Sequence, residues 1–223
     1  MLGKQAEYCF ETYLKQSSRY EILVSNIQIQ GTVETLGELD YLVLDTITEK
    51  ALHIELACKF YLMDDTIKGS LVEQWIGPNR KDTLYEKLIK LRDKQFPLLY
   101  ALETIAALDK LPLNISLIEQ QLCLKSFLFV PKTFRIKDLP QNYQKCIVGI
   151  WMTYAEFTAE SDTASYSVPT KKEWLESPEN FKEWYSLSEV KKLIQQELLE
   201  KKSPLVYKNI TGKIEKIFVV WWK

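Results

Sequence analysis

Along the first twenty residues, apolar side chains at Ala6, Cys9, Phe10, Tyr13 and Leu14 recur at helical spacing, and Ser17-Ser18 ends the pattern. The period then shortens. Tyr20 to Gln30 is β-branched and partly alternating until Gly31 breaks it, which predicts a strand. Two further strands, Glu38–Leu44 and Leu52–Phe60, flank a polar segment from Asp45 to Lys50, so an antiparallel hairpin is the economical arrangement. After Gly77-Pro78-Asn79 the residues Leu84, Leu88 and Leu91 form one helical stripe, with Asn79 as the expected N-cap and Pro97 as the expected interruption. Leu99, Leu102, Ile105 and Ala106 predict another helix, and Leu122–Val130 a buried strand closed by Pro131.

Beyond Pro131 the pattern predicts a strand near Ile147 to Phe157, a short strand near Tyr166 and a Trp-rich connection through Trp174 and Trp184. A helix from Leu187 to about Glu200 follows, carrying Leu187, Val190, Leu193, Ile194 and Leu198 on one face. Strands at Leu205–Tyr207 and Ile217–Trp222 finish the chain. The fold class is therefore α/β. Residues 1–131 are expected to form an αβββαβ core with a mixed sheet flanked by helices, and residues 132–223 an α+β extension on it.

Composition narrows the function without choosing it. With 46% hydrophobic and 26% charged residues over 223 positions, the chain has the ordinary balance of a protein with a sizeable core. Lys and Arg number 29 against 30 Asp and Glu, which excludes the global basic field of a nonspecific nucleic-acid coat. Cys9, Cys58, Cys123 and Cys146 form no C-x-x-C pair and His53 is the sole histidine, so four buried free thiols are expected rather than a zinc site. The opening residues show no apolar signal stretch and no later run reaches bilayer-spanning length, so a cytoplasmic protein with no membrane partner is expected.

Candidate chemistry lies in the hairpin. Residues two apart on a strand face one way, so Glu38 and Asp40 share a face of one strand, and His53, Glu55, Ala57 and Lys59 a face of the next. Carboxylates on neighbouring strands can converge. Asp40 and Glu55 offer the hard oxygens that Mg²⁺ or Mn²⁺ prefers, and a lysine nearby could meet the oxyanion of a phosphate in its transition state. His53 is expected as a hydrogen-bonded histidine rather than a base.

Gly3-x-x-x-Glu7 on a first helix, Asn26, Gly37-Glu38-Leu39-Asp40 and the strand with Glu55 resemble the Holliday-junction-resolvase branch of the PD-(D/E)XK phosphodiesterases. The resemblance implies a restriction-endonuclease-like core, Asp40 and Glu55 as metal ligands, Glu7 as a helix acid beside the metal, and a nuclease activity. Ala57 stands where that family's lysine is usual. Lys59, roughly 6.6 Å farther along the strand, is the expected replacement.

Thr35-Leu36-Gly37-Glu38-Leu39-Asp40, His53-x-Glu55-Leu56-Ala57-x-Lys59-Phe60-Tyr61 and Trp75-x-Gly77-Pro78-Asn79-Arg80 also resemble, across nearly the whole chain, a bacterial domain of unknown function, number 1853. A second candidate surface runs from Trp75 through Asn79 and Arg80 to Lys81, where an indole and two cations at a helix start could hold a nucleic-acid backbone. The leading expectation is a metal-dependent DNA or RNA nuclease. The alternative is a noncatalytic nuclease-like module that binds nucleic acid or a protein partner.

Overall fold

The computed structural model describes residues 2–160 and 163–223. Its contacts divide the chain into two compact units, one of Gly3–Cys58 with Glu86–Lys125, the other of Leu2, Lys59–Tyr85 and Ser126–Lys223. The chain passes from one to the other inside two long strands and two helices, so each unit is built from separated stretches of sequence.

In the first unit, helix α1 (Leu2–Gln16) is followed by strands β1 (Tyr20–Gln30), β2 (Thr35–Asp45) and β3 (Lys50–Met63). β1 pairs antiparallel with β2, and β2 with β3, as the alternation predicts. The hairpin's corner is fixed by charge. Arg19 donates to both Asp45 oxygens, Nε to Oδ1 at 3.0 Å and Nη2 to Oδ2 at 2.6 Å, and this fork holds the Asp45 carboxyl well below the usual range. One face of these strands, with Tyr41, Val43, Leu52 and Ile54, packs against Leu14 and Phe10 of α1.

The second helix does not begin where the sequence predicts. Asn79 is not an N-cap, because its Oδ1 accepts from Ser203 N at 2.9 Å, and Arg80 adopts φ 55° in a turn closed by Gly77 N donating to Asp82 O. Strand β4 (Trp75–Ile76) precedes this turn, and helix α2 (Leu84–Lys90) follows it. Pro97 interrupts as expected, by a specific device: Leu91–Gln95 widens into a π turn before α3 (Phe96–Leu98) and α4 (Leu102–Leu108). Proline lacks the N–H that would close a turn on Asp93 and its ring crowds that carbonyl, so Phe96 N–H reaches back five residues to Leu91 O. Leu98, Leu99 and Leu108 pack on Leu39, Leu42 and Ile29. Gly37 permits this approach, since a Cβ there would stand 2.7 Å from Leu98 Cδ2.

The second unit holds a mixed sheet. Strand β5 (Glu119–Pro131), which starts in the first unit, runs parallel to β6 (Ile147–Thr153), and β6 runs parallel to β9 (Lys213–Val220). Strands β8 (Leu205–Ile210) and β7 (Ser165–Ser167) continue it antiparallel. The expected strand to Phe157 stops at Thr153. Thr153 and Glu156 form a reciprocal capping box that turns the chain into α6 (Tyr154–Thr158), after the short α5 (Gln141–Gln144). A second capping box, Ser186 with Glu189, opens α7 (Leu187–Leu199), which lays Leu187, Val190 and Ile194 on Val206, Ile217 and Val219. The opposite core is aromatic: Phe60, Phe129, Trp151, Trp174 and Phe218.

All four cysteines are free, but they are not buried as expected: Cys9 is exposed on α1 and the other three are half-buried. No helix among the described residues is long and apolar enough to cross a membrane.

Candidate functional site

The hairpin register places Tyr41 across from Ile54 and Leu42 across from His53. Extended by one position, it sets Asp40 against Glu55. There the backbone ladder ends, because Leu56 N donates to the Asp40 side chain, at 2.7 Å from Oδ2, instead of to a main-chain carbonyl. Asp40 is half-buried, whereas Glu55 and His53 are fully enclosed.

Two side chains hold Glu55 in place. His53 Nε2 lies 2.9 Å from Oε1, and Gln95 Nε2 donates to Oε2 at 2.5 Å. The histidine's tautomer follows from its other neighbour. Gln120 Nε2 donates to Phe96 O at 2.7 Å and lies 3.1 Å from His53 Nδ1, and an amide nitrogen can only donate. Nδ1 therefore accepts, and Nε2 carries the proton given to Glu55. Lys87 Nζ completes the chain of contacts by donating to Gln95 Oε1 at 2.9 Å.

Burial raises the Asp40 carboxyl to about 6, the Glu55 charge adds to the rise, and the Leu56 N–H opposes it. Lys87 also opposes it, so its charge acts on the same corner. The ordinary value is 3.8 and the folded value is higher, so folding favours protonated Asp40. That stabilisation is complete below about pH 4 and is lost as pH rises through about 6. At about 1.4 kcal/mol per pH unit the cap is near 3 kcal/mol, and solvent screening of a half-exposed group reduces the expectation to about 1–2 kcal/mol. Denaturant titrations of wild type and Asp40→Asn should diverge by this amount between about pH 4 and pH 8. Parallel stability curves would show that Asp40 titrates normally.

The expected site is only partly assembled. Asp40 and Glu55 come together. Glu7 does not join them: α1 covers the Tyr41 and Ile54 face, and by strand alternation Glu55 points to the other, with Tyr41 Oη donating to the Glu7 main chain at 3.1 Å. Lys59 belongs to the second unit, where Nζ pairs with Asp82 at 2.7 Å.

In that unit Trp75 is fully buried and stacks on Tyr143 with centroids 5.9 Å apart, so its ring is not presented to bases. Arg80 pairs with Asp64 at 2.8 Å and lies 4.7 Å from the Trp222 ring centre, Asn79 holds Ser203, and Lys81 is exposed. The turn is a structural clasp. Burial would raise Asp64, but Thr66 and Arg80 outweigh it and keep its carboxyl below the usual range.

Sequence reasoning missed Lys87, Gln95 and Gln120. Lys87 and Gln95 are eight apart, a spacing that separates side chains by about 80° in an unbroken α-helix. The π turn accommodates roughly one extra residue and brings them together. Pro97 was the available signal.

The donor set suits an ion that needs few protein ligands. Asp40 and Glu55 supply hard oxygens, and among the described residues Asp40 Oδ1 accepts no hydrogen bond. Glu55 already takes one donor on each oxygen, which leaves a lone-pair direction on each. Among the described residues no group of three or more His, Cys, Asp and Glu side chains is arranged for a metal. Mg²⁺ or Mn²⁺, completing its shell with water, fits two carboxylates.

The fold and this corner define a mixed α/β protein with a carboxylate pair at the splayed end of a hairpin. The chain belongs to the domain of unknown function family DUF1853, whose model matches residues 1–220. No curated protein and no solved structure matches it.

Proposed function

We propose that the chain is a metal-dependent phosphodiesterase acting on DNA or RNA, with Asp40 and Glu55 as its metal ligands. The observation that supports it is the convergence of these carboxylates at one corner, beside the charge of Lys87. A bound Mg²⁺ or Mn²⁺ would be held by Asp40 and Glu55 and would supply Lewis acidity and an activated water. The protein's own part is positioning. His53 and Gln95 fix both Glu55 oxygens, and the Leu56 N–H orients Asp40 so that its second oxygen is available. PD-(D/E)XK-like motifs and a restriction-endonuclease-like core belong to the same proposal.

A noncatalytic nucleic-acid-binding module is favoured by one observation, the double engagement and complete burial of Glu55. Incubation with single-stranded, duplex and branched DNA and with RNA, in Mg²⁺ or Mn²⁺, separates the two. Cleavage by wild type that Asp40→Asn abolishes supports the enzyme. Retained binding without cleavage supports the module.

A further inference from the structure

We propose that Lys87 on α2 is the phosphate-binding residue of the Asp40/Glu55 corner, taking the place that Ala57 leaves without a cation on β3. The inference rests on the phosphodiesterase reading and adds a residue to it. Two carboxylates facing one phosphodiester are a repulsive arrangement, so the corner needs a cation besides a metal to approach the phosphate oxygens. Lys59 has its own partner in Asp82, and Ala57 is buried.

Lys87 is half-buried within the first unit and is tied to the corner by geometry. Its Nζ stands 2.9 Å from Gln95 Oε1, and Gln95 Nε2 stands 2.5 Å from Glu55 Oε2. One glutamine therefore sets the separation between the ammonium and the carboxylate. Its placement depends on the π turn: straightened to an α-helix, Gln95 would rotate off the Lys87 face and release both contacts. Lysine suits the role because its compact ammonium on a flexible stem can meet a phosphate from several approach angles. Lys87 also acts electrostatically on Asp40, the carboxylate on the other strand.

The test compares Lys87→Met, Lys87→Arg and Lys59→Met with wild type. Fluorescein-labelled DNA duplex and its single strands are titrated in Ca²⁺ by anisotropy, across a salt series. Lys87→Met is expected to weaken binding about tenfold and to reduce the salt slope by roughly 0.7 to 0.9, one phosphate contact. Lys87→Arg should recover most of the affinity, and Lys59→Met should match wild type. Melting temperatures check that the variants fold. Lys87→Met with wild-type affinity and slope overturns the assignment, and so does a wild type that binds neither DNA form. Mn²⁺ binding measured on the same proteins separates this failure from that of the phosphodiesterase reading. Wild type that binds no Mn²⁺ defeats the reading, whereas Mn²⁺ binding with an unaffected Lys87→Met defeats only the lysine.

Discussion

Gly149→Ala is expected to destabilise the protein by about 3 kcal/mol or more, the upper range of overpacking costs. Gly149 sits in β6, flanked by parallel β5 and β9. A Cβ there would fall on the Lys216 main-chain oxygen and on the Phe129 ring. Neither can give way easily. Lys216 is held in the β8–β9 ladder, and Phe129 is fully buried with its ring edge against Phe218 at 4.7 Å. Denaturant unfolding measures the cost, and a loss below about 1 kcal/mol would mean that β6 and β9 do not approach this closely.

His53→Ala is the second large effect, at about 3 kcal/mol, because it leaves a buried carboxylate oxygen and a half-buried amide hydrogen without partners. Glu55 Oε1, fully enclosed, loses its donor, and one hydrogen of the half-buried Gln120 loses its acceptor. Much of the loss should be the penalty of an uncompensated buried carboxylate rather than the value of the pair itself. A double-mutant cycle tests this. His53→Ala combined with Glu55→Ala should cost at least about 1 kcal/mol less than the sum of the single changes. Additive costs would show that the two side chains do not interact.

How far the sequence foretold these features depended on whether the determinant was local. β1 and the β2–β3 hairpin were legible because alternation and a polar turn each act within a few residues, and the register then carried Asp40 to Glu55. The end of β6 carries a local capping signal, Thr153-x-x-Glu156, but the apolar run through Phe157 masks it with the pattern of a continuous strand. Asn79 departs from its expected capping role for a different reason. Its partner, Ser203, is 124 residues away, and no local pattern records that contact.

Trp75 shows the same limit, since an indole beside Arg80 in sequence says nothing of its burial against Tyr143. The site's two strand carboxylates could be foreseen, but the glutamines and the lysine around them could not. Gln95 and Lys87 meet only through the backbone widening that precedes Pro97, and Gln120 arrives from β5 to orient a histidine on β3.

Calorimetric titration of Mn²⁺ into the protein near neutral pH, repeated with Asp40→Asn and Glu55→Gln, is the most direct test of the carboxylate corner as a metal site. Wild type should bind one ion per chain, and each substitution should abolish the heat while leaving a folded protein. Wild type that binds no ion, or variants that bind as tightly as wild type, would contradict the assignment of Asp40 and Glu55 as its ligands.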